Sequence, residues 1–228
     1  ASTQQEVNFI NTETKETKIL GSNRGTSVDD AQILAAMSAA GSGVTTAATP
    51  IDNPDAEYLA ATTKIDFSGL PDGSSVDVIS DDTVFVAFSQ TLSKTGPVPD
   101  GWATWSSPPF SEDPNPFVLL ASAGTLTMEI SRPVSIFGFE LEPSPFGEFE
   151  FTADFYRGDS LIESVSRTVD GFAGARLFAR EDGSIDRVVI TALDFAIAQI
   201  RYQLAPIDPA LAVLFIAVLV IILALILL

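Results

Sequence analysis

The sequence contains no cysteine and no histidine. Without thiols there are no disulfides and no thiolate metal sites; without imidazole the commonest general base and the commonest zinc ligand are missing. A Ser-His-Asp triad, a Cys-His pair and an HExxH zinc site are thereby excluded, and no Walker sequence or spaced-glycine fingerprint offers a phosphate cradle. Basic residues are scarce: 12 Lys and Arg stand against 30 Asp and Glu, a net charge of −18. That balance repels nucleic-acid phosphates and supplies no basic patch for anionic lipid, so nucleic acid is not an expected partner. No Asn-x-Ser/Thr sequon occurs, and no apolar run near Ala1 resembles a secretory signal. The chemistry left open is carboxylate work or oxygen-ligated metal, and the expectation is a non-enzymatic protein without a required cofactor.

What is abundant is apolar surface at the C-terminal end. Ala210 to Leu228 contains no charge, amide or hydroxyl. As a helix it is about 28 Å long at roughly 1.5 Å per residue, close to the roughly 30 Å hydrocarbon core of a bilayer. Three readings follow: a membrane anchor, a removable sorting signal, or a helix packed against copies of itself. Ala210, Ala217 and Ala224 recur every heptad along one stripe, where small side chains let backbones approach closely, and this favours self-packing. The expected partners are accordingly a lipid bilayer or further copies of the chain.

The rest divides into an arm and a strand-rich unit. Residues 1–61 read as an N-terminal arm, polar up to about Gly25, with one short helix over Val28–Ala40 capped by Ser27 and closed by Gly41, and a small-residue linker after it. Residues 62–204 alternate with period two, in about ten or eleven short strands separated by turn residues, among them Val118–Ala121, Thr125–Ile130, Val134–Leu141, Glu148–Tyr156, Ala175–Ala179 and Ile185–Thr191. Without helical periodicity between strands, this indicates an all-β, antiparallel sandwich, with residues 205–228 as the C-terminal helix. Phe139, Phe149, Phe151, Phe155, Phe178 and Phe195 are expected to dominate the core, each worth roughly 1.5–3 kcal/mol when fully buried.

The run Val134-Ser-Ile-Phe-Gly-Phe139, a strand ending Phe155-Tyr156-Arg-Gly-Asp159, Phe172-Ala-Gly, Ile185-Asp-Arg-Val-Val-Ile190 and Phe195-Ala-Ile-Ala-Gln-Ile200 resemble bacterial extracellular jelly-roll domains of the PEP-CTERM type. The resemblance covers about Lys64 to Leu204. It implies a jelly-roll fold, display at a cell surface and a C-terminal hydrophobic helix; this chain carries Ala205-Pro-Ile-Asp-Pro209 where that type has Pro-Glu-Pro. Jelly-roll modules of this kind sometimes bind calcium between their first and last strands, which makes Asp66, Asp81, Asp82, Asp194 and Glu57 candidate oxygen ligands, Asp66 and Asp194 first among them.

Three further features invite a functional reading. The stretch Thr95 to Pro116 holds six prolines, Trp102, Trp105 and Phe110, a set of flat faces on which a sugar ring could stack or a plug over the open end of the sandwich. Glu140 with Glu142, and Glu148 with Glu150, lie two apart as glycosidase carboxylates might; alternation with core residues places both pairs in water at ordinary pKa. Arg157-Gly158-Asp159 matches an adhesion tripeptide and is also adequate turn chemistry. The sequence therefore predicts a cell-surface or structural protein that displays a β-sandwich through its tail and assembles into a filament or layer, with a membrane-anchored carbohydrate-binding or adhesion module as the alternative.

Overall fold

The computed structural model describes residues 50–206. The arm before Pro50, the helix expected over Val28–Ala40 and the apolar tail with Ala210, Ala217 and Ala224 lie outside them. Among the described residues no helix is long and apolar enough to cross a membrane.

The described chain is all-β apart from one short helix. In order it forms β1 (Pro50–Ile51), α1 (Ala56–Ala61), β2 (Thr63–Lys64), β3 (Ser75–Ser80), β4 (Phe85–Thr95), β5 (Val118–Ala121), β6 (Gly124–Pro143), β7 (Glu148–Arg157), β8 (Ser160–Asp170), β9 (Arg176–Ala192) and β10 (Phe195–Leu204). All pairings between strands are antiparallel, in one ten-stranded sheet. The core phenylalanines fall where alternation puts them: Phe139, Phe151, Phe155, Phe178 and Phe195 are buried, while Phe149 is partly buried against them.

Two strands are much longer than their sequence suggests. Thr125–Ile130 and Val134–Leu141 are continuous in β6, and Ala175–Ala179 and Ile185–Thr191 are continuous in β9, so Pro133 and Asp182-Gly183 do not end strands. β6 and β9 pair with each other along nearly their whole lengths, and register shifts between Glu129 and Ile136 absorb the irregular residues of both. A bulge of this kind bends a strand without breaking its ladder. Beyond the bend the neighbours change. The first half of β6 pairs with β4 and the second half with β10. β9 pairs with β7 through its second half and with β1 through its first.

The bend folds the sheet over its own core. Phe151 of β7 and Phe195 of β10 meet edge to face with centroids 6.0 Å apart, although β9 and β6 stand between their strands. On a flat sheet three strand spacings would separate them by about 14 Å. β5 also joins β4 to β10, closing β4, β5, β10 and β6 into a ring.

The sheet begins before the boundary expected at 62, because β1 pairs with β9 and α1 covers sheet surface. Asp55 caps α1 by accepting from the Tyr58 N–H at 2.9 Å. Tyr58 then packs with Ile136, Leu177 and Ala179 on the face away from the phenylalanine core. Gly138 makes room for it: a Cβ there would collide with Tyr58 Oη and the Ala179 methyl.

The two ends of the folded unit differ. Pro50 lies opposite Arg180, which faces Phe137, and Leu204 lies opposite Val134, which faces Ile185, so the described chain enters and leaves near the bend in the middle of the β6–β9 pair. Away from the bend, both ends of β6 meet at the Ala192–Phe195 turn, where Asp194 accepts from the Ala123 and Ser144 N–H groups, beside the loops Pro143 to Gly147 and Gly171 to Ala175. The span of β10 sets this turn about 30 Å from Leu204 at roughly 3.3 Å per residue.

Candidate functional site

Glu140 and Glu142 are wholly buried, which corrects the expectation that they face water at ordinary pKa. Alternation does turn them away from Phe139 and Leu141, but that second face is covered by the Thr95–Pro116 loop. The neighbouring strand makes the covering possible. Ala198 pairs with Glu140 and Ala196 with Glu142, and their small side chains leave space for indoles. Val98, Trp105, Val118, Ala175, Ala196 and Ala198 form a second apolar cluster there, with Trp102 and Leu120 packed against it.

Each carboxylate is a hub for the loop. Glu140 accepts from Trp105 Nε1 at 2.7 Å, Ser111 Oγ at 2.5 Å and the Glu112 N–H at 2.6 Å. Glu142 accepts from Trp102 Nε1 at 2.6 Å, Thr104 Oγ1 at 3.2 Å and the Gly174 N–H at 3.2 Å. Burial pushes Glu140 up to about 7 against the pull of its three donors, and raises Glu142 in the same direction. The desolvation cost of the charged form outweighs the hydrogen bonds. Both states of Glu140 keep their partners, since Ser111 Oγ also lies 3.0 Å from the Asp113 carbonyl. When Glu140 is ionised Ser111 donates to it; when Glu140 is protonated it donates to Ser111, which turns to Asp113.

Glu112 fastens the loop a second time. Its carboxylate accepts from Arg201 Nε at 2.7 Å, from the terminal guanidinium nitrogen at 3.1 Å and from Lys64 Nζ at 3.1 Å. Although partial burial works the other way, these cations hold Glu112 below its ordinary range. Arg201 also donates to the Thr62 carbonyl at 3.0 Å, tying the loop to the segment after α1.

The aromatic residues of the loop therefore do not form one platform. Trp105 is buried; Phe110 is exposed beneath the Arg176 guanidinium, 4.2 Å from its ring centroid; Trp102 is half-buried and lines a cleft at the far end. The loop covers the outer face of β6 and β10 rather than an open end of the fold. Trp102 shares its cleft, of about 440 Å³, with Asp194, Phe195 and several serines.

The candidate calcium ligands are not gathered around one point. Asp66 follows β2 near Gln199, accepts from the Ser68 N–H at 2.9 Å and lines a cleft with Asp113. Asp194 sits in the turn before β10 and accepts from the Ala123 N–H at 2.5 Å. Five residues of β10 separate their levels, about 17 Å, so the two do not share an ion. Asp81 accepts from Tyr202 Oη at 2.6 Å and from the Thr83 and Val84 N–H groups, while Glu57 is in the first turn of α1 and Asp82 lines the cleft beside Phe85. No metal-sized group of three acidic side chains occurs among the described residues.

Arg157-Gly158-Asp159 forms the tight turn between β7 and β8, with Gly158 at φ +54° and its N–H donating to Asp186. Arg157 donates to the Ser184 carbonyl and pairs with Asp182, so the tripeptide is engaged with β9. Phe146 and Phe172 form an aromatic pair that no local sequence pattern brings together. Both rings are exposed, meeting edge to face at 5.7 Å between the Pro143–Gly147 and Gly171–Ala175 loops.

Compared with known proteins, the chain matches no protein-family model and no curated sequence.

Proposed function

We propose that the chain is a non-enzymatic structural protein of a cell surface, a jelly-roll-like β-sandwich carried by its apolar C-terminal segment and assembling with copies of itself. The observation that carries this reading is that the described chain both starts and finishes near the bend of β6 and β9. Pro50 and Leu204, from which the sequence runs on toward the arm and the tail, are thus on the bend side of the sheet, and the loops of its other end are about 30 Å from Leu204. The heptad alanines Ala210, Ala217 and Ala224 supply a close-packing stripe for neighbouring tails. The polar arm supplies short alternating segments that add to a free sheet edge, and among the described residues β8 is such an edge, its ladder made with β7 alone.

Electron microscopy of the full-length chain tests this reading. Filaments or clustered particles are expected, and Ala217→Phe should disperse them without lowering the melting temperature of the β unit. Monomers in the absence of detergent, or polymers indifferent to Ala217→Phe, would overturn it.

A second reading, a membrane-anchored carbohydrate-binding or adhesion module, is favoured by the Trp102 cleft. It uses the same orientation, with the tail as the holdfast and the far end as the working surface.

A further inference from the structure

We infer that the cleft beside Trp102 binds one unit of a neutral saccharide, an inference that rests on the carbohydrate-binding reading. The cleft is about 440 Å³, within the range of small-ligand sites. Trp102 lines it with an indole whose orientation is fixed, because its N–H is committed to Glu142 at 2.6 Å. An indole held in this way offers a sugar's C–H face a flat apolar surface without losing rotamer entropy on binding.

Opposite chemistry surrounds the ring. Ser75, Ser93, Ser122 and Ser144 line the cleft, and their hydroxyls make no hydrogen bond among the described residues. Each hydroxyl donates one hydrogen bond and accepts two, the same repertoire as a sugar hydroxyl. Asp194 adds a carboxylate whose Oδ1 is held by the Ala123 N–H at 2.5 Å, leaving acceptor capacity for a ligand hydroxyl.

The lining also excludes competitors. It contains no lysine or arginine, and with Asp194 present and a net charge of −18 an acidic sugar or phosphate meets only repulsion. An extended peptide finds no free backbone row at Leu120, which is paired with Ser93 on one side and Ala196 on the other. A neutral, hydroxyl-rich ligand with an apolar ring face satisfies all of these conditions.

The test is a titration of the full-length protein with cellohexaose, laminarihexaose, xylohexaose, mannohexaose and maltohexaose, with tetragalacturonate as the anionic control. Tryptophan fluorescence is a selective probe because Trp105 is buried while Trp102 faces the cleft. A saturable change with at least one neutral oligosaccharide and none with tetragalacturonate is expected. Ser93→Phe, at a half-exposed strand position, fills the cleft and should weaken binding by about tenfold or more with an unchanged melting temperature. Asp194→Ala should weaken it as well.

Silence from all five neutral oligosaccharides, unchanged affinity in Ser93→Phe, or preference for tetragalacturonate would overturn the inference. Displacement of the saccharide by an extended serine-rich peptide at lower concentration would reassign the cleft to peptide. The same samples are scored by microscopy. Polymers without a saccharide response defeat the site and leave assembly standing, whereas a saccharide response from monomers does the reverse.

Discussion

The indole N–H of Trp105 donates to Glu140 Oε2 at 2.7 Å, and both side chains are withdrawn from solvent. A loop residue and a strand residue 35 positions apart thus satisfy each other's buried polar groups. Removing either leaves the other without its partner in a low-dielectric site, which costs more than the hydrogen bond itself contributes. Trp105→Ala should therefore destabilise the fold by about 3–5 kcal/mol from the lost ring alone, with the orphaned carboxylate adding to that. Trp105→Phe keeps most of the ring and should cost about 1–3 kcal/mol. Phe110→Ala, at an exposed ring, should change stability by less than about 1 kcal/mol. Urea unfolding of the three variants checks the order; equal losses for Trp105→Ala and Phe110→Ala would remove the loop from the core.

The same carboxylate predicts a pH dependence. Glu140 sits at about 7 in the folded chain against an ordinary 4.5, so between these values the folded state holds a proton that the unfolded state has released. The contribution of Glu140 to stability then rises as pH falls from about 8 toward about 5, by on the order of 2 kcal/mol for a shift of this size. Glu142 is raised and acts in the same direction. Glu140→Gln cannot titrate and should flatten that limb, which melting temperatures between pH 5 and 8 would reveal. An identical slope in the variant would place the dependence elsewhere.

The inward face of the sheet was legible and the outward face was not, for one physical reason. Phe151, Ala153 and Phe155 alternate with polar residues, and period two suffices to assign them to a core. Glu140 and Glu142 alternate equally well with Phe139 and Leu141, yet their burial depends on loop residues that lie 28 to 40 positions upstream of the carboxylates they bond, beyond the reach of any local period. One signal was present. Trp102 and Trp105 carry N–H groups that need acceptors if buried, and β10 offers Ala196 and Ala198, residues too small to fill an outer face unaided. The continuity of β6 through Pro133 was illegible for a related reason, because the bulge that tolerates the proline is shared with β9.

Tyr58 and Gly138 make a second pair that sequence periodicity does not reveal. Tyr58 Oη is buried and has no hydrogen-bond partner among the described residues, and burial raises its pKa above the ordinary value. A desolvated hydroxyl without a partner is a standing cost, so Tyr58→Phe should be neutral or stabilise by about 1 kcal/mol. Gly138→Ala should do the opposite, because the new methyl occupies the place of the phenol and must displace α1. Thermal unfolding separates them, and Gly138→Ala combined with Tyr58→Ala should recover part of the loss if the clash is local.

Glu112 governs the acid side of the stability profile. Arg201 and Lys64 hold its carboxylate below the ordinary range despite partial burial. A depressed folded-state value means that the unfolded chain takes up its proton first. The stabilisation is therefore present above an ordinary carboxylate value and is lost as pH falls through the lower, folded value. Asp66, held down by the Ser68 N–H, adds to the same limb. Glu112→Gln should lower stability at neutral pH, where the charged pairing is complete, and narrow its deficit as the solution is acidified and the native pair is lost in the parent as well. Against Glu140→Gln the contrast is directional: one substitution flattens the limb above about pH 5, the other the limb below it. Denaturant midpoints of both variants and the parent from pH 2 to 8 distinguish two separately titrating fastenings of one loop from a single acid-labile cluster, in which the two substitutions would shift the same limb.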